Sequence, residues 1–337
     1  MSLDTALRRD PGPALPEELR SDAAVRGDAD YRALLARLSQ QSVRKHFDAY
    51  ADVAWDAPEF ALDVEDPRFE LGAHDPLGAT AWYRSLSPAL RARIGCHLVA
   101  NFMRIGVDFE SALKRGLLEF TSTLPQGAPE FRYCYHELIE EAQHSLMFQE
   151  FVNRTDLEIP GLPAWMRVGA RRVASFGRRF PELFFPYVLG GEDPIDHAQR
   201  EALREGWWTH PLVRSISQIH VTEEARHLSF ARAFLRRRVP ELPARRLLHL
   251  RVRTPLLLGQ MGRLMMEPSA HMVRTYAIPR EAIDAAYRRN PAHRRRVADA
   301  LRKVRELCSE LEIAVPPFDR LWRRMGIWSE ALQGHGP

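Results

Sequence analysis

The chain has 337 residues, 45% of them hydrophobic, which is enough for a substantial core, and its formal charge is only +4. Of 48 basic residues only Lys45, Lys114 and Lys303 are lysine, and arginine clusters such as Arg171-Arg172, Arg236-Arg237-Arg238 and Arg294-Arg295-Arg296 read as solvated helix faces of an arginine-biased protein, not as a nucleic-acid surface. Cys96, Cys134 and Cys308 lack Cys-x-x-Cys spacing, the opening MSLDTALRRDPGPALPEEL has no apolar leader, and no apolar run is long enough to cross a membrane, so a cytoplasmic globular protein with no membrane or nucleic-acid partner is expected.

In chain order, residues 1–30 are rich in Pro, Asp, Arg and Ala and read as a mobile tail before a single domain over residues 31–337. A first helix is expected from Tyr31 to Phe47. It is followed by an irregular arm through Trp55-Asp56-Ala57-Pro58-Glu59 and Asp66-Pro67-Arg68-Phe69, with a short helix near Gly78. Pro88 to Phe120 reads as a long amphipathic helix without internal proline, closed by Pro125-Gln126-Gly127. Pro129 opens the next, which runs to about Asn153, and Pro160 and Pro163 close that half. In the second half the apolar run Phe184 to Leu189 leads to Gly190-Gly191-Glu192-Asp193-Pro194, and helical pattern resumes from Ile195 to Glu205. The glycine pair and prolines predict either a break near Glu192 or neighbours that re-satisfy the freed carbonyls. His210–Arg238, Glu241–Ala277 and Arg280–Glu312 are further expected helices, and Pro316-Pro317 introduces a last segment ending at Trp328. No alternating pattern competes, so the fold class is all-α, a helical bundle.

One pattern occurs twice on these helices, Glu140-Glu141-Ala142-Gln143-His144 and Glu223-Glu224-Ala225-Arg226-His227. Positions i and i+3 share a helix face, so Glu141 with His144 and Glu224 with His227 can each hold a cation. His220 adds a third imidazole one turn before Glu224, in a stripe kept apolar by Val213, Ile216, Val221, Leu228 and Leu235. A single Glu-x-x-His is ordinarily a solvated face; two copies point to a metal pair.

Each half then needs a carboxylate from its other helix. Glu110 sits among Val99, Met103, Gly106, Val107, Leu113 and Leu117 at helical spacing, and a bare buried carboxylate is costly unless a cation compensates it. It precedes Glu141 by 31 residues, which suits an antiparallel helix pair, and Glu192 precedes Glu224 by 32. Glu119 and Asp193 are the rivals, the first near a helix end and the second before Pro194, where a turn role is expected. The candidate set is Glu110, Glu141, His144, Glu192, His220, Glu224 and His227, the arrangement of ferritin-like di-iron and di-manganese bundles with one extra imidazole. Its oxygen and nitrogen donors suit two iron ions, or manganese. Asp196, Glu140 and Glu223 lie within a turn of these residues and are candidates for orienting the imidazoles, Glu223 reading more simply as a solvent-facing acid.

From about residue 45 to 235 the sequence resembles the p-aminobenzoate N-oxygenase (AurF-like) family of di-iron enzymes, most specifically in His220-x-x-x-Glu224-x-x-His227. The resemblance implies a ferritin-like, cytosolic and often dimeric bundle that binds two irons through the seven residues named, takes O2 as co-substrate, receives electrons from an external reductase or ferredoxin, and oxidises an arylamine through hydroxylamine and nitroso stages to a nitro compound. The helix before Glu110 departs from the family's pattern, carrying Phe102 where a polar aromatic is expected. A carbon hydroxylase or desaturase is the second reading, followed by a ferritin-like iron-handling protein and a helical interaction protein.

Overall fold

A computed structural model describes residues 27–207 and 209–328, and among them there is no β-strand. Its frame is a set of long helices, α1 (Asp28–Arg44), α2 (Pro88–Thr121), α3 (Pro129–Arg154), α4 (Pro181–Glu205), α5 (Pro211–Arg238) and α6 (Ala244–Met266). The all-α helical bundle read from the sequence is therefore the fold. Helices α2 to α5 each start with proline in the first turn, where the missing N–H costs nothing, and Ser87 caps α2 by accepting from the Leu90 N–H at 3.3 Å.

Helices α2 and α3 run antiparallel, since the α3 partner moves backwards as α2 advances: Gly106 lies under Phe148, Glu110 meets Ser145, and Lys114 donates to the Glu141 carbonyl. Helices α4 and α5 pair in the same sense through Phe185 with Phe234, Asp193 with Arg232, and Arg200 with the Val221 carbonyl. α1 packs on α3 and α5, and α6 covers α4.

Two apolar clusters divide the bundle along its length. One contains Leu113, Leu117, Tyr133, Phe184, Phe185, Phe230 and Phe234; the other contains Met103, Met147, Phe148, Phe151, Val213 and Ile216. On α3 and α5 the residues between the clusters are the two Glu-Glu-x-x-His copies. The hydrophobic effect thus seals a polar layer between two greasy plugs.

Several expected boundaries move. Of the tail expected over residues 1–30, residues 1–26 lie outside the described residues, while Asp28 to Asp30 form the first turn of α1, where acidic side chains suit the positive end of the helix dipole. Helix α1 ends at Arg44, not Phe47. The single helix expected from Arg280 to Glu312 is broken into Arg280–Ile283, a π-helical turn Asp284–Arg288, Pro291–Ala300 and Arg302–Glu310. Asn290 causes one break, its side chain accepting from the Ala292 and His293 N–H groups and starting a new helix before Pro291. Glu241–Ala277 similarly splits into α6 and Ala270–Thr275, the latter capped by Ser269. An unexpected helix, Ala164–Ala174, follows Pro163.

Helix α4 matters most for the site, because it runs unbroken through Pro186, Gly190, Gly191 and Pro194. Its glycines serve close packing. A Cβ on Gly190 would come within 2.4 Å of Leu258 on α6, and one on Gly191 within 2.2 Å of the Phe109 ring on α2. Because Phe109 rests on the bare backbone of Gly191, the next residues in each helix, Glu110 and Glu192, are carried into one layer.

Gly191→Ala should therefore destabilise the chain by roughly 1–3 kcal/mol through overpacking, while Gly169→Ala, where a Cβ meets nothing within 4 Å, should stabilise it by about 0.5–1 kcal/mol. Urea denaturation of the two variants reads both signs, and equal effects would reject the packing role of Gly191.

Candidate metal centre

The polar layer holds every residue of the candidate set. Glu110, Glu141, His144, Glu192, His220, Glu224 and His227 are all buried, none more than 1% exposed. Their donor atoms converge in three overlapping groups that could each hold a cation, Glu110 with His144 and His220, Glu141 with His144 and Glu224, and Glu192 with His220 and Glu224. His227 lies outside those groups, yet its Nδ1 is 3.1 Å from Glu141 Oε1 and 3.1 Å from Glu224 Oε1. His144 presents the same nitrogen inward, its Nδ1 lying 3.5 Å from Glu224 and 3.8 Å from Glu141. His220 Nε2 lies 3.6 Å from Glu224 and 4.0 Å from Glu110.

The outward nitrogens show why the motif carries a second glutamate. His144 on α3 bonds through Nε2 to Glu223 on α5 at 2.9 Å, and His227 on α5 bonds through Nε2 to Glu140 on α3 at 2.8 Å. Each Glu-Glu-x-x-His copy thus orients the other copy's imidazole. Arg226 lies between the two outer glutamates, 2.8 Å from Glu140 and 3.5 Å from Glu223, and the Phe47 N–H also donates to Glu223 at 3.2 Å. The solvent-facing reading of Glu223 is therefore corrected: its side chain is fully buried beneath the chain that follows α1. Asp196 does not reach an imidazole; it accepts from Arg200 at 2.7 Å, and burial raises its carboxyl.

The rivals separate as well. Asp193 is engaged by Arg232 and Glu119 is exposed, whereas both Glu192 oxygens are buried with no hydrogen-bond partner. Three groups that spacing alone did not single out complete the layer. Ser145 donates to Glu110 Oε2 at 2.5 Å, Lys114 approaches the same oxygen at 3.7 Å, and Glu137, one turn before Glu141, is buried with Oε2 unpartnered. The i−4 relation of Glu137 to Glu141 was a legible signal for the last.

Electrostatics expose the cost of this layer without a cation. Burial, then the charges of Glu224, Glu141 and Glu110, push the Glu192 carboxyl well above its ordinary range. Burial raises Glu110 to about 8 although Lys114 opposes it, and burial raises Glu137 to about 8. Burial likewise works against the charged form of His144, but Glu141 and Glu223 overcome it and lift the imidazole to about 10. His220 has no such carboxylate bond; burial and the charge of His144 hold it well below its usual value. Both Glu192 oxygens, both His220 nitrogens and Glu224 Oε2 are buried without a hydrogen-bond partner. Buried polar atoms are ordinarily satisfied, so this many orphans pointing into one layer fit cations held by oxygen and imidazole donors.

The family model described as "P-aminobenzoate N-oxygenase AurF" matches residues 28–312. Uncharacterised proteins of Mycobacterium bovis and of Mycobacterium tuberculosis are 39% identical over 304 residues, covering 90% of this chain and 89% of each relative. No solved structure matches the chain significantly.

Glu137 supplies a test of the layer's electrostatics in metal-free protein. The unfolded chain ionises this carboxyl near 4.5 while the fold keeps its proton to about 8, so its contribution turns against folding as pH rises through that interval. Glu137→Gln removes the titration. In chelator the variant should be more stable than the parent by up to about 5 kcal/mol above pH ~8, the gain fading as pH falls toward the ordinary carboxylate range. Denaturant titrations across pH measure this, and a pH-independent difference would contradict it.

Proposed function

The chain belongs to the p-aminobenzoate N-oxygenase AurF family, and from that membership we propose that it is a cytoplasmic di-iron oxygenase that oxidises the amino nitrogen of a small arylamine. The observation that carries this reading is the crossed pair of bonds, His144 to Glu223 and His227 to Glu140, which turns both Nδ1 atoms onto the carboxylates of Glu141 and Glu224. Fixing the outer nitrogen sets the tautomer and leaves the inner one as a lone-pair donor, the usual way a protein orients an imidazole toward a metal.

In this reading Glu110, Glu141, His144, Glu192, His220, Glu224 and His227 hold two iron ions. Iron bound there would supply the electrons that activate O2, replenished by an external reductase or ferredoxin. The chain's own contributions are separable. The apolar clusters on either side of the layer exclude water. Glu140, Glu223 and Arg226 hold two imidazoles in place, while Ser145 bonds one oxygen of Glu110 and the Lys114 charge lies 3.7 Å from it. For the first oxidation the balance is amine, O2, two electrons and two protons giving hydroxylamine and water; further rounds lead to nitroso and nitro products.

Three buried free cysteines and, among the described residues, no helix long and apolar enough to cross a membrane support the cytoplasmic part of the proposal. A homodimer is proposed on family likeness alone.

Two measurements test the reading. Elemental analysis should find two iron or manganese ions per chain, falling to one or fewer in Glu141→Ala and Glu224→Ala, with metal affinity reduced about 10–100-fold in Glu223→Ala, where His144 loses its partner. Unchanged metal content in the first two variants would reject the paired site. With reductant and labelled O2, a 4-aminobenzoate-like panel should yield hydroxylamino, nitroso or nitro compounds carrying the label. Oxygen consumption coupled only to a carbon substrate would instead favour the hydroxylase or desaturase, and iron accumulation without substrate turnover an iron-handling protein.

A further inference from the structure

The two copies of the repeated pattern, Glu-Glu-Ala-Gln-His and Glu-Glu-Ala-Arg-His, differ only in the residue before the histidine. In the second copy it is Arg226, which lies between the outer glutamates. In the first it is Gln143, half-buried on α3, which bonds to a different part of the chain. Its side-chain oxygen accepts from the Ala49 N–H at 2.8 Å, and its nitrogen donates to Asp48 Oδ2 at 3.2 Å. A main-chain N–H can only donate and a carboxylate can only accept, so both partners agree on the orientation of the amide.

The Phe47 and Ala49 N–H groups lie two residues apart in the irregular segment after α1. Phe47 donates to Glu223 Oε1 on α5 at 3.2 Å, while Ala49 donates to Gln143 on α3. The segment therefore bridges the two motif helices over the outer side of the polar layer. It is braced from within. Asp48 Oδ1 accepts from the Tyr50 and Ala51 N–H groups, both at 2.9 Å, and the buried Ala49 gives its carbonyl to the Trp55 indole at 2.6 Å. With that turn preformed, holding Ala49 sets where Phe47 falls.

Resting on the reading of this layer as a metal pair, we infer that Gln143 is a positioning residue: by pinning Ala49 it keeps the Phe47 N–H on Glu223, and through Glu223 it orients His144. The other oxygen of Glu223 is the one that bonds to His144 Nε2, at 2.9 Å. Arg226 does not replace the amide, since it lies 2.8 Å from Glu140 but 3.5 Å from Glu223. The two halves of the layer are thus held differently, the His227 side by an arginine and the His144 side by a strap of main chain.

The experiment uses the full chain and two variants. Gln143→Met is close in volume and removes both bonds. Gln143→Glu combined with Asp48→Asn exchanges donor and acceptor across the 48–143 pair while still accepting from Ala49. In metal-free protein, hydrogen exchange of the Phe47 amide as well as that of Ala49 should be at least about tenfold faster in Gln143→Met, and should return to near the parental rate in the exchanged pair. After anaerobic loading with ferrous iron, a ferrous chelator should remove one of the two ions about 3–10-fold faster from Gln143→Met, with no further acceleration when Glu223→Ala is already present. Loss of protection at Ala49 alone, parental release from Gln143→Met, or an equal acceleration in the Glu223→Ala background overturns the inference. Should Glu223→Ala not fold, the exchanged pair decides it, because a role in packing alone would not be restored by swapping donor and acceptor. A parent chain that holds no iron rejects the metal-pair reading separately, and exchange at Phe47 still decides whether Gln143 positions Glu223.

Discussion

Burial of carboxylates is the constraint on which the rest of this structure depends. Glu110, Glu137, Glu140, Glu141, Glu192, Glu223 and Glu224 lie in one layer with almost no exposure, and the fixed cations that meet them there are Lys114 and Arg226. A low-dielectric interior tolerates such a concentration of acid only if protons, imidazolium or metal ions compensate it. The divergent shifts within the layer, with Glu192 pushed up while Glu141 is held down by His144 and His227, show that protons alone give an uneven solution.

That constraint explains features that would otherwise be unrelated. The apolar clusters on either side are what make the layer dry, and the dry layer is what makes each hydrogen bond to it matter. Glu140 and Glu223 keep His144 and His227 from rotating, and Arg226 balances the two outer acids together. His220 stands apart. Its ring lies 4.6 Å from that of His144 and 5.1 Å from that of Phe148, and neither of its nitrogens is bonded. Two imidazoles are therefore fixed by carboxylates and one by packing alone, which makes the two halves of a near-symmetric site unequal.

The same bundle also builds a cleft of about 180 Å3. Phe102, Asn101 and Met103 reach it from α2, Gln199 from α4 and Ser217 from α5, the helices that also carry Glu110, Glu192 and His220. A substitution on one of those helices can thus disturb both the metal layer and the cleft.

What the sequence determined by itself is whatever a single helix face can encode. The spacing of Glu141 with His144 and of His220, Glu224 and His227 places them together on one stripe in any α-helix, and the apolar surroundings of Glu110 and Glu192 orient them inward before any packing is known. Helix starts at Pro88 and Pro129 were legible for the same local reason. Only the tertiary structure decided that α4 stays continuous, because the fit of Gly190 against Leu258 and Gly191 against Phe109 joins helices far apart in the chain. It also decided that Glu223 serves His144 and Glu140 serves His227, partners 79 and 87 residues away. Helical periodicity fixes which face a side chain occupies, whereas its partner across the interface depends on how helices cross, and no local spacing carries that information.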